Sequence, residues 1–203
     1  MAALTVGSSL TACTSRDRSV QTAPVLATPS PAQSVSTAGN SRIRARPADP
    51  PDTTSVVQPV RLQLAGVGID VQVVAVGVAP DGQMALPPNP ATIGWYRFGP
   101  STTDDRGSVV LGGHIDSKQY GVGPLARLRR LHPGDMAVIR LSNNSVTSYR
   151  VRTVEDIAKS SLALNKVFDR DGAPLLRIIT CGGPYDHNGG GYRDNLVVTA
   201  EPT

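Results

Sequence analysis

Residues 175–200 read LLRIITCGGPYDHNGGGYRDNLVVTA. Two apolar runs, LLRIITC at 175–181 and NLVVTA at 195–200, flank a polar, glycine-rich segment. Short β-branched runs bounded by turn formers read as strands, so these two are expected to be neighbours joined by the GGPYDHNGGG loop. Gly-Gly-Pro after Cys181 is expected to end the first strand, leaving the thiol at a strand end beside that loop. Working outward, the same texture recurs in VRLQL at 60–64, IDVQVVAVG at 69–77, GSVVLGGHI at 107–115, MAVIRL at 136–141 and SYRVRTVEDI at 148–157. Such spacing predicts a mainly all-β domain folded as a closed or nearly closed antiparallel structure. One helix interrupts it: PLARLRRL at 124–131 puts Leu125, Leu128 and Leu131 on one face, and HPGD at 132–135 stops it.

The N-terminal part has a different texture. All eight aromatic residues lie between Trp95 and Tyr192, so the core belongs to the C-terminal part. Residues 14–58 contain six Pro, seven Ser and no aromatic residue, a composition that cannot bury enough apolar surface to offset chain entropy. They are expected to form a disordered tether. Residues 1–13 are small and apolar and end in Leu10-Thr11-Ala12-Cys13, which resembles a bacterial lipobox. An ordinary signal peptide or a truncated membrane anchor fits equally well, since no basic residue precedes Arg16. Either reading sends the chain out of the cytoplasm. No apolar run reaches the roughly 18 residues that cross a bilayer. The domains are therefore expected at 1–13 (anchor segment), 14–58 (tether) and 59–203 (folded domain). A formal net charge of +4, spread along the chain, argues against a nucleic-acid partner.

Cys181 is the one cysteine in the folded part, and a lone thiol in an exported protein asks for an explanation. A buried, inert core thiol is the plain one. A nucleophilic thiol would need a base or a cation to populate its thiolate. Three histidines are available. His132 belongs to a turn, and His187 to a glycine-rich loop poorly suited to hold a catalytic geometry. His114 follows the strand VVLGG, whose small residues clear space around it, and Asp116 two positions on shares its face if the strand continues. Arg193 begins the second apolar run, where a hairpin brings it to the same end as Cys181. Its planar cation cannot act as a base but can stabilise a thiolate or an oxyanion. Pairing with Asp186 or Asp194 at the surface is the alternative for that Arg.

With these residues in view the chain resembles the sortases, Gram-positive cysteine transpeptidases, and among them most closely the actinobacterial class F type. The resemblance spans roughly residues 59–201. It is carried by GWYRFGP at 94–100, GSVVLGGHID at 107–116, GPLARLRRLHPGD at 123–135, TCGGPYD at 180–186 and YRDNLVV at 192–198. It implies a sortase-type closed antiparallel or mixed β-barrel with one or two short helices. It also implies catalytic roles for His114, Cys181 and Arg193, with Asp116 and Thr180 supporting.

The implied reaction joins an LPxTG-like sorting peptide, through a thioacyl enzyme, to an amine of a cell-wall precursor or a pilin-like Lys. The resemblance implies a monomer on the outer face of the cytoplasmic membrane, facing the wall, without cofactor or metal. Against that pattern, residues 1–13 are expected to be a lipobox-like or truncated form of the usual transmembrane anchor. Two rival readings are a tethered, non-catalytic β-barrel with an inert Cys181 and a thiol redox protein, the latter lacking any C-x-x-C pair.

Overall fold

The computed structural model describes residues 57–203. The anchor segment and nearly all of the expected tether lie outside the described residues. No described helix is long and apolar enough to cross a membrane.

Ten strands follow in order: β1 (Pro59–Leu64), β2 (Ile69–Val76), β3 (Thr92–Tyr96), β4 (Ser108–Gly112), β5 (Asp116–Ser117), β6 (Gly121–Val122), β7 (Met136–Leu141), β8 (Val146–Ala158), β9 (Leu175–Asp186) and β10 (Gly191–Pro202). Eight of them close into a barrel in the order β1-β2-β3-β4-β9-β10-β8-β7, with β7 pairing back onto β1. The pairs β2–β3 and β4–β9 are parallel and the others antiparallel. The expected closed barrel is present, in its mixed form, while β5 and β6 form a separate two-stranded sheet.

Alternation along each strand fills the barrel. Ile69, Val71 and Val73 of β2, Leu62 and Leu64 of β1, Ile139 and Leu141 of β7, and Leu196, Val198 and Ala200 of β10 are all buried in one cluster. Each fully buried Leu or Ile contributes about 1.5–3 kcal/mol by leaving water. The expected helix is a 3₁₀ turn, Pro124–Arg130. Three residues per turn align Leu125, Leu128 and Leu131 in one row, and all three join the core cluster.

β4 is buried on both faces: Val109 and Leu111 enter the core cluster, whereas Val110 is buried outside it. The β8–β9 connection crosses from one pole of the barrel to the other, since β10 pairs antiparallel with both strands. It starts at Ala158, paired with Asp194, and reaches the other pole, where Ser108 and Gly107 donate to the carbonyls of Asp169 and Gly172. On the way the short helix α1 (Leu164–Val167) buries Val167, and Phe168 meets the Tyr96 ring edge-on at 5.0 Å.

Candidate active site

The site begins with the parallel ladder of β4 and β9, which runs in register from Ser108 opposite Leu175 to Gly112 opposite Ile179. Two further bonds carry the alignment past the end of β4. Gly113 N donates to the Ile179 carbonyl at 3.2 Å, and the buried Thr180 hydroxyl donates to the Gly113 carbonyl at 2.8 Å. The next residue along each chain is His114, just past the end of β4, and Cys181 on β9. Leu176, Ile178 and Thr180 point into the barrel, so the period of two turns Cys181 outward, where it is half-buried. His114 is half-buried as well. Gly113 must be glycine here, because a Cβ would lie 2.8 Å from Ile93 Cγ2 and 3.0 Å from Leu125 Cδ1.

The strand does not end after Cys181, contrary to expectation. β9 runs on through Gly182-Gly183-Pro184 to Asp186, and the hairpin is correspondingly short. The glycines act as strand residues under tight constraint. A Cβ on Gly182 would lie 2.4 Å from Asp156 Oδ1, and Gly183 adopts φ 67°. The β9–β10 register shifts between Tyr192 and Asp194, leaving Pro184 where the missing N–H forfeits no ladder bond. Cys181 is accessible because β4 stops at Gly112, not because its own strand stops. Beyond it, Gly182–Asp186 and Gly191–Arg193 form a two-stranded ribbon, since β8 pairs with β10 only from Asp194.

Arg193 sits on this ribbon, at the register shift, while Asn195 lies directly opposite Cys181. Arg193 Nη2 donates to Asp186 Oδ2 at 3.1 Å, and its side chain is 63% exposed. Asp186 also accepts from the backbone N–H groups of Gly189 and Asn188, which with Arg193 hold its carboxyl below the usual range. The structure thus brings Cys181, Thr180 and the His114 strand end together, and bonds the Arg193 guanidinium toward the hairpin.

Asp116, on β5, accepts a hydrogen bond from the Tyr192 hydroxyl. That bond, more than any other influence, pushes the Tyr192 phenol up to about 12, with smaller contributions from desolvation and from the charges of Asp116, Cys181 and Tyr185. The Tyr192 ring meets Tyr185 edge-on at 5.1 Å, and Tyr185 meets His187 at 5.0 Å. Sequence reasoning passed over Tyr192; its position next to Arg193 in YRDNLVV was the available signal. His132 is exposed, in a turn closed by its N–H donating to Asp135. Among the described residues no group of three or more His, Cys, Asp or Glu is arranged to hold a metal ion.

Among solved structures the fold is similar to sortase C1 of Streptococcus agalactiae in its complex with MTSET (18% identity, TM-score 0.53, covering 72% of this chain and 69% of that one). It is also similar to the sortase D5 transpeptidase of Clostridium perfringens (14%, TM-score 0.52, 72% and 79%) and to sortase A of Listeria monocytogenes (16%, TM-score 0.51, 71% and 87%). No curated protein sequence matches the chain. The sortase domain model matches residues 62–203, which is most of the chain and all of the barrel from Leu62 onward, so the protein belongs to the sortase family, whose members are generally cysteine transpeptidases.

Proposed function

We propose that this chain is an extracytoplasmic transpeptidase of the class F type that cleaves an LPxTG-like sorting signal after Thr and passes the acyl group to an amine. The Cys181 thiolate attacks the Thr carbonyl carbon, and the carbonyl electrons move onto oxygen. Arg193, released from Asp186, holds that oxyanion. Protonated His114 gives its proton to the departing Gly amine as the C–N bond breaks, leaving a thioacyl enzyme. Neutral His114 then takes a proton from the incoming amine, which displaces the thiolate and forms the new amide. The amine comes from a cell-wall precursor or a pilin-like Lys. No cofactor enters the scheme. The domain acts as a monomer over residues 59–203, tethered by 14–58 and anchored through 1–13 at the outer face of the cytoplasmic membrane.

The observation that carries this reading is the Thr180–Gly113 hydrogen bond, which ties together the residues immediately before Cys181 and His114, just past the end of the parallel β4–β9 ladder. A group on a strand and one anchored by hydrogen bonds just past a strand end can hold a proton-transfer geometry that an untied loop cannot. The test is to incubate the purified protein, and its Cys181→Ala variant, with a panel of sorting peptides and amines. Amide product from the first alone is expected. Equal cleavage by both would end the reading.

A further inference from the structure

The ribbon beyond Cys181 has few ties to the barrel. β4 does not reach it, and β8 leaves it at Asp194. Within it the register shifts and Gly183 takes a left-handed φ, so its direction is not fixed by a regular ladder. Two side-chain bonds reach it from outside: Asp156 Oδ1 accepts from Gly183 N at 3.2 Å, and Asp116 accepts from Tyr192 Oη. The second lies nearer the chemistry. It joins two residues 76 positions apart, one next to Arg193 and the other two residues past His114.

We propose that the Tyr192–Asp116 hydrogen bond is a clasp that positions Arg193 relative to His114, with Tyr192 and Asp116 as positioning residues. The positioning role rests on the sortase reading given above. Asp116 belongs to a small sheet of its own, paired to Val122, so it presents the carboxylate from a braced element. Tyr192 is braced by the edge-on contact with Tyr185, its direct cross-strand partner. A tyrosine phenol is protonated, hence a donor, across the whole neutral range, and the bond to Asp116 raises that of Tyr192 further, to about 12. Asp116 thereby works through the Arg193 side of the site, in addition to standing near His114.

The test compares Tyr192→Phe, which deletes the donor and keeps the ring, with Asp116→Ala, which deletes the acceptor, and Asp116→Asn, which keeps an acceptor oxygen. Two readouts are taken on the full chain. The first is amide hydrogen exchange of residues 182–194. It should speed up by about tenfold in Tyr192→Phe and Asp116→Ala, as expected for loss of one charge-assisted bond, and little in Asp116→Asn, with β2 unchanged in all three. The second is turnover of the best sorting peptide. kcat should fall by about tenfold or more in the same two variants with KM nearly constant, and the double variant should be no worse than either single one.

Unchanged ribbon exchange in both Tyr192→Phe and Asp116→Ala would overturn the clasp, whatever the turnover. Faster exchange with unchanged kcat would overturn its positioning role. Absence of turnover by the wild-type chain on every peptide would overturn the sortase reading and the positioning role with it, while the exchange data would still decide whether the clasp exists.

Discussion

Arg193 and Asp186 are bonded to one another across the base of the β9–β10 hairpin, Nη2 to Oδ2 at 3.1 Å, with the Arg side chain mostly exposed. An exposed pair of this kind is screened by solvent and contributes little, so little holds the guanidinium there against a better acceptor. An oxyanion is such an acceptor. Removing one oxyanion donor costs about 10²–10³ in rate. Arg193→Ala and Arg193→Lys should therefore both lose on that order in kcat/KM, because Lys keeps the charge but not the planar fork, while melting within a few degrees of wild type. Near-normal rates in both would leave Arg193 as a surface residue.

For Asp186→Asn the expectation has the opposite sense. The ion pair is lost but Arg193 is free, so kcat/KM should stay level or rise. A drop comparable to that of Arg193→Ala would show that Asp186 holds Arg193 in its working position.

Thr180 ties the two chemical groups through a buried bond, 2.8 Å from its hydroxyl to the Gly113 carbonyl. Thr180→Val nearly keeps the shape and deletes the donor, leaving a carbonyl unpaired at about 1–3 kcal/mol. Denaturant unfolding should report that loss, and kcat should fall with it. Thr180→Ser should restore both. A Val variant as active as wild type would show that the strands alone align His114 with Cys181.

Much of the barrel could be read from the sequence, and the failures have local causes. MAVIRL at 136–141 became β7 without adjustment, and i, i+3 spacing of Leu125, Leu128 and Leu131 located the inward face of the 3₁₀ turn. β3, TIGWY, went unread as a strand, and its parallel pairing to β2 supplies what its sequence does not advertise. The reading of Gly182-Gly183-Pro184 as a strand breaker failed for a tertiary reason: Asp156, Asp194 and Leu196 crowd those glycines into the sheet. His114, Cys181, Asp116 and Thr180 were legible as chemistry-bearing residues. Gly113, the partner of Thr180, and Tyr192, the partner of Asp116, were not, since those hydrogen bonds span 67 and 76 residues.

The same crowding yields a prediction about stability. Gly183 and Gly190 share positive φ values of 67° and 70°, but a Cβ on Gly183 would lie 2.0 Å from Asp194 Oδ2, whereas nothing lies near one on Gly190. Gly190→Ala should cost about 1–2 kcal/mol, the price of the left-handed conformation, and Gly183→Ala distinctly more. Equal costs would mean that Asp194 moves aside freely.

Stability should also decline at both ends of the pH scale. Asp169 and Asp186 are held below their ordinary 3.8 chiefly by backbone N–H donors, and Asp70 chiefly by Arg61. A depressed carboxyl stabilises the fold above its unfolded pKa, so Tm should fall as pH drops below about 4. Tyr149, by burial, and Tyr192, by its bond to Asp116, are raised from 10.0 to about 12. Raised phenols stabilise the fold below pH 10 and lose that contribution as pH climbs through 12. Tyr192→Phe should flatten part of this alkaline decline; an identical slope would remove Tyr192 from the linkage.

The most direct measurement is the intact mass of the protein after brief mixing with an LPxTG-like peptide and no added amine. Wild type and His132→Ala should gain the mass of the acyl fragment on Cys181, with the Gly-terminated remainder released, and should lose it when an amine is supplied. His114→Ala should form the adduct about 10²–10⁴ times more slowly, and Cys181→Ala should not form it at all. No adduct on the wild-type chain with any sorting peptide, or undiminished peptide cleavage by Cys181→Ala, would contradict the pairing of Cys181 with His114 as the reacting groups.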